Sequence, residues 1–141
     1  MSQENVERHC RLLEAFNERD IEAFIASLHP SVEYHSAMTV PGGGAYHGHD
    51  GMRRYFEDFG DAWGGEYRVE PEAFFDLGEQ TLMFYVVHGR GQHSRAQVAM
   101  PGAQVAKWRD GVLVYAKAYV QREDALGDLG VAEGELQPID P

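Results

Sequence analysis

VEYHSAMTVPGGGAYHGHDGMRRYFEDF, residues 32–59, is the stretch whose reading decides the fold. VEYHS alternates as a strand does, with Val32, Tyr34 and Ser36 on an inward face and Glu33 and His35 on the other. A loop at 39–48 follows, carrying Gly42, Gly43, Gly44 and Gly48. It lacks the helix-entry spacing and the lysine of a phosphate-binding loop, so it reads as a lip over a pocket. Asp50 is the expected N-cap of a helix over 51–63. Met52, Tyr55, Phe56, Phe59 and Trp63 form an aromatic stripe along it. Such a stripe serves as core packing, as one wall of a pocket, or as both at different depths.

Upstream, Val6, Cys10, Leu13 and Phe16 recur at helical spacing and predict a helix over 3–18, with Ser2 as its cap. Cys10 on that stripe reads as a small core residue. Asp20 caps a second, shorter helix whose stripe is Ile21, Phe24, Ile25 and Leu28, and Pro30 is expected to end it. Together the two make a helical hairpin.

Downstream the chain reads as strands. Residues 66–73 alternate, and Pro71 removes a ladder donor, which favours an edge. TLMFYVVH, 81–88, is almost wholly apolar and suits a central strand covered on both faces. Residues 95–108 form the next strand, with a bulge expected at Pro101-Gly102. Asp110-Gly111 signals a two-residue hairpin into the strand 112–120. There Val112, Val114, Ala116, Ala118 and Val120 make a small apolar face, opposite Leu113, Tyr115, Lys117 and Tyr119. The small face suits helix packing or leaves room for a ligand, and the Tyr/Lys face suits a subunit interface. A short helix over 123–130 precedes an acidic tail, 131–141, expected to be loosely held. Helices first and hairpin-joined strands after them argue an α+β domain over 1–130.

Composition narrows the function classes. The chain has 141 residues and a formal charge of −11, from 23 acids against 12 bases. A surface so acidic argues against nucleic acid or anionic lipid as a partner. One cysteine excludes an internal disulfide, and no apolar run is long enough to span a bilayer. The polar start MSQENVERHC lacks an apolar signal segment, so a reducing, cytoplasmic compartment is the default expectation.

The order of RDIEAFIASLHPSVEY, YHGHDGMRRYF and WRDGVLVYAKAYVQREDAL resembles the SnoaL-like branch of the nuclear transport factor 2-like superfamily, across residues 5–130. Ketosteroid isomerases and limonene epoxide hydrolases are also members. The resemblance implies a cystatin-like α+β roll: a curved, mostly antiparallel sheet wrapping three helices around a conical pocket. It also implies a homodimer through the outer sheet face. Ketosteroid isomerases use an Asp base with an oxyanion hole of Tyr and protonated Asp. Carried over, the base falls at Ser36, the protonated Asp at Gln104 and the tyrosine at Leu12. The aspartate of many SnoaL-like polyketide cyclases falls near Gln121, with Asp124 three residues on, and the epoxide hydrolase relay falls nearest Arg95-Ala96-Gln97. The scaffold resembles the family while its acid/base sets are replaced.

The remaining candidates for chemistry are His88, Ser36 and His35. Histidine is the natural acid/base near neutrality, and a strand puts Ser36 and His35 on opposite faces. Gln104 is a candidate amide donor to a ligand carbonyl. The expected pocket wall comprises Phe16, Tyr34, Ser36, Tyr55, Phe56, Phe59, Trp63, Val86, His88, Gln104, Ala118 and Val120. His47-Gly48-His49 resembles a metal pair but brings no third ligand, so no metal or cofactor is expected. Two functions follow. One is an isomerase, cyclase or lyase acting on a small apolar carbonyl compound. The other is a catalytically silent binding or dimerisation module that keeps the pocket.

Overall fold

A computed structural model describes residues 3–36, 44–64, 66–90 and 97–139. Helix α1 (Gln3–Asn17) and helix α2 (Ile21–Ala26) form the expected hairpin. The Asp20 carboxylate accepts from the Ala23 amide at 3.1 Å and caps α2. Strand β1 (Leu28–Ser36) pairs with β2 (Gly44–His47), which leads directly into α3 (Gly48–Trp63). Strands β3 (Tyr67–Asp76), β4 (Gln80–Arg90), β5 (Gln97–Arg109) and β6 (Val112–Tyr119) follow as antiparallel neighbours. Helix α4 (Arg122–Leu129) and strand β7 (Pro138–Ile139) end the described chain. The result is an open, curved, seven-stranded sheet in the order β2-β1-β6-β5-β4-β3-β7. It is antiparallel except where β1 runs parallel to β6.

The sheet carries apolar side chains on both faces. Helices α1, α2 and α3 cover the concave face, where Val32, Tyr34, Phe74, Met83 and Tyr85 join the larger core. On the convex face, Leu82, Phe84, Ala103 and Val105 form a second core beneath Ala125 and Leu126 of α4. Arg122 ties α4 down. Its guanidinium donates to the main-chain oxygens of Tyr85 and Gly102, at 2.9 and 3.2 Å, and to Glu72 at 2.6 Å. It also lies over the Phe84 ring. This second core explains why TLMFYVVH is almost wholly apolar, since both faces of its first half are covered.

Several local expectations change. Helix α2 ends at Ala26, and Pro30 lies inside β1, where the pairing with β6 shifts register between Leu28 and Glu33. An irregularity of that kind accommodates a residue without an N–H. Helix α3 begins at Gly48 with His47 as N-cap, so Asp50 sits in its first turn and complements the helix dipole. Pro101 and Gly102 pair regularly with Val86 and Tyr85, without a bulge. A Cβ at Gly102 would lie 2.7 Å from the Tyr85 hydroxyl, so the glycine gives the ring its place. The extra residue is Val114 instead: Lys107 faces Tyr115 while Trp108 faces Leu113. That bulge reverses the alternation and turns Leu113 inward with Ala116 and Ala118. Asp110 and Gly111 both have positive φ, at 52° and 84°, as a type I′ turn requires.

The free edge of β3 is covered along its length. The Asn17 side chain donates to the Val69 carbonyl at 2.8 Å and accepts from its amide at 2.9 Å, imitating a strand. Arg19 donates to the Tyr67 carbonyl at 2.7 Å, with its guanidinium over the Tyr67 ring. Pro71 has no N–H to offer, and β7 pairs at Phe74 and Phe75. The acidic tail, expected to be loosely held, therefore docks on the sheet. Ser2, the loop glycines 42–43 and the turn at 91–94 lie outside the described residues.

Candidate functional site

The concave face and helices α1 and α3 enclose a chamber of about 50 Å³, which reaches about 600 Å³ when its open mouth is included. Its wall is mostly apolar. Phe16 is the hub, with ring centroids 5.1–5.9 Å from those of Phe24, Tyr55, Phe56, Phe59 and Tyr67. Close aromatic packing of this kind narrows the space available to a ligand.

A run of neutral polar groups crosses one end of the chamber. Trp108 Nε1–H donates to Thr81 Oγ1 at 2.9 Å. Thr81 Oγ1 is 2.8 Å from His9 Nδ1, and His9 Nε2 is 2.7 Å from Gln104 Oε1. The Gln104 amide nitrogen donates to the Tyr34 hydroxyl at 3.3 Å, and Tyr34 and Tyr55 hydroxyls are 3.2 Å apart. His9 is 1% exposed, with its ring packed edge-on against Phe74 and tilted against Trp108. Burial lowers its pKa from the ordinary 6.5 to about 4, against an opposing contribution from the Gln104 hydrogen bond. It is therefore neutral at pH 7. Burial also holds the phenols of Tyr34, Tyr55 and Tyr85 above their ordinary range, so all three remain protonated.

Of the residues expected at the pocket, Phe16, Tyr34, Tyr55, Phe59 and Gln104 meet in the chamber wall. The others go elsewhere. Ser36 is buried at the end of β1, outside the lining. Phe56 and Trp63 pack behind Phe16 and Phe59, and Trp63 covers Gly89, where a Cβ would lie 2.5 Å from its ring. Val86 and His88 alternate to the opposite face from Tyr85 and Val87, and His88 faces Glu70 at 3.6 Å. His35 points outward to Glu33. Ala118 is buried but outside the lining, and Val120, beyond the end of β6, is 43% exposed.

His9 is the site residue that the helical stripe passed over. It follows Val6 by three and precedes Phe16 by seven, on the same face, and a polar residue there was the available signal. Among the described residues, no carboxylate lines the chamber. Among the described residues, no three His, Cys, Asp or Glu side chains are grouped as metal ligands. His49 Nε2 lies 2.9 Å from the Leu28 carbonyl, which occupies one member of the His47/His49 pair. Among the described residues, no helix is long and apolar enough to cross a membrane.

The curved sheet closed by helices over a small, mostly apolar chamber has the cystatin-like α+β fold. A crystal structure described as an NTF2-like protein from Burkholderia pseudomallei has this fold, with a TM-score of 0.75 and 20% identity over 88% of this chain and 95% of that one. The SnoaL-like domain model matches residues 10–116, and the chain belongs to that family. A putative polyketide cyclase from Xanthomonas campestris aligns with a TM-score of 0.67 and 20% identity, over 89% of this chain and 96% of that one. TerC, co-crystallised with polyporic acid, aligns at 0.74 and 22%, over 89% and 97%. At these identities the likeness is one of fold. No curated protein matches the sequence.

Proposed function

We propose that the protein binds a small apolar molecule in the chamber and holds it by one polar group. The observation that carries this reading is the wall itself: apolar on most sides, with the neutral polar run His9–Gln104–Tyr34–Tyr55 at one end. A TerC structure that includes polyporic acid agrees with a small organic ligand for this fold.

Catalysis is the second reading, and His9 favours it as the histidine of the lining. An isomerase, cyclase or lyase reaction on a carbonyl compound would draw on His9 for proton transfer and on the phenols for oxygen polarisation. The silent binding module is favoured because both His9 nitrogens already have partners and, among the described residues, no carboxylate shares the wall.

A thermal-shift screen with small ketones, terpenoids and aromatic polyketides tests binding. A ligand at 100 times its Kd stabilises by about 2.7 kcal/mol. If no compound of these classes raises Tm, the binding reading falls. Turnover of any stabilising compound then separates enzyme from silent module.

The assembly belongs to the same reading. Tyr115 and Lys117 face outward on β6, beside Lys107, His35 and Glu33. Tyr119 is already covered within the chain, donating to Asp128 of α4 at 2.6 Å. A homodimer would therefore meet over the Tyr115/Lys117 end of the sheet. Light scattering at micromolar concentration is expected to give twice the 15.8 kDa chain mass, and a monomer alone overturns this.

A further inference from the structure

The polar run has a direction. An indole N–H only donates, so Thr81 Oγ1 accepts from Trp108. Its own hydrogen is then available to His9 Nδ1. A neutral histidine that accepts at Nδ1 carries its proton on Nε2, which matches donation to Gln104 Oε1. This leaves the Gln104 amide nitrogen to donate onward to Tyr34. The reverse assignment, with the amide turned around, would make Thr81 Oγ1 accept from both Trp108 and His9. Its hydroxyl hydrogen would then need an acceptor, and no other bond to that hydroxyl is found among the described residues. The direction given leaves no such remainder.

The Tyr34–Tyr55 pair is where the run ends. Two phenol hydrogens share one mutual hydrogen bond, and Gln104 donates into the pair from outside. Whichever phenol donates to the other, one O–H remains in the chamber wall. Tyr85 brings a third hydroxyl to the same wall.

We propose that His9, fixed as the Nε2–H tautomer by Thr81 and Trp108, is a positioning residue that sets the polarity of the chamber. The consequence is selection for a ligand that brings a hydrogen-bond acceptor, such as a carbonyl oxygen, over one that brings only donors. The inference rests on the binding reading above and adds to it the chemical class of the polar group. His9 need not touch the ligand. It acts through Gln104 and Tyr34.

Two measurements test it. In the intact wild-type protein at pH 7, ¹⁵N NMR of the His9 ring is expected to show a protonated Nε2 and an unprotonated Nδ1. A protonated Nδ1 overturns the proposal, without bearing on whether the chamber binds anything. The second measurement uses NMR titration with three probes of one size: cyclopentanone, methylenecyclopentane and cyclopentylamine. Cyclopentanone is expected to bind about tenfold more tightly than the hydrocarbon, the effect of one added hydrogen bond. Cyclopentylamine, protonated at this pH, is expected not to bind. Equal binding of ketone and hydrocarbon overturns the polarity and leaves the pocket standing. Failure of both to bind overturns the pocket reading and this inference with it.

Thr81→Val keeps the side-chain shape and removes the hydroxyl. It is expected to mix the two His9 tautomers and to reduce the ketone preference to less than threefold, with hydrocarbon affinity retained. A variant that keeps both the tautomer and the tenfold preference sinks the assignment. Where Thr81→Val fails to fold, Trp108→Phe provides the second arm. It keeps the Thr81 hydroxyl but removes the donor that directs it, and is expected to mix the His9 tautomers and reduce the ketone preference to less than threefold.

Discussion

Lowering the pH from 7 to 4 is expected to remove on the order of 3 kcal/mol of stability through His9 alone. The folded-state pKa of about 4 lies below the ordinary 6.5. Between those values the unfolded chain binds a proton that the folded chain refuses. The contribution is therefore fully present above about pH 6.5 and is lost as pH falls toward 4. The groups packed on the ring are Thr81, Gln104, Phe74 and Trp108, and none of them offers a charge to offset an imidazolium. Carboxylates titrate in the same range, so the informative quantity is a difference. Urea unfolding of wild type and His9→Gln, measured from pH 7 to pH 4, isolates it. The variant is expected to be less stable at pH 7, because a glutamine cannot serve both Thr81 and Gln104 in the same geometry. Its stability should also fall less steeply on acidification. Parallel curves for the two proteins would show that His9 is not held neutral by burial.

Phe16→Ala is expected to cost about 3–5 kcal/mol, the usual range for deleting a large buried aromatic. Phe16 touches five other rings, three of them from α3, so the variant loses both transfer energy and the contact that joins α1 to α3. The same deletion enlarges the chamber. An apolar void of this type stays dry and accepts a small hydrocarbon. Benzene is therefore expected to raise the Tm of Phe16→Ala by more than that of wild type, because in wild type the Phe16 ring fills part of that space. A variant that loses stability but shows no benzene response would mean that the neighbouring rings collapse into the gap. The chamber would then be a packing remnant, and the binding reading would lose its main support.

Apart from β2, which lies in the stretch read as a loop, and β7, which lies in the tail, the order of elements was legible because its signals are local. Asp20 as a cap, Asp110-Gly111 as a turn and the aromatic spacing of 52–63 each act within a few residues. The two-sided cover of β4 was legible from TLMFYVVH, although the cover itself, α4 with its Arg122 anchor, is a long-range fact. What escaped was set by distant partners. VLVYAKAY alternates without fault in the sequence, and only its pairing with β5 creates the bulge at Val114 that turns Leu113 inward. His88 and Val86 looked equivalent to their neighbours until β4 was given a concave side. His9 acquires its meaning from Thr81 and Gln104, 72 and 95 residues away in the chain. Family motifs did not point to it: the resemblance placed its candidate positions at Ser36, Gln104 and Leu12, and His9 is none of them.

The stopped edge of β3 limits how this molecule can assemble. An amide side chain, a guanidinium, an imino acid and a two-residue strand occupy the ladder positions that a neighbouring chain would need. At the opposite margin β2 offers only four residues. Growth by adding one molecule's strand to another's is closed at one border and short at the other. A destabilised population that stacked into fibrils through the β3 margin would first have to strip off Asn17, Arg19 and the C-terminal strand.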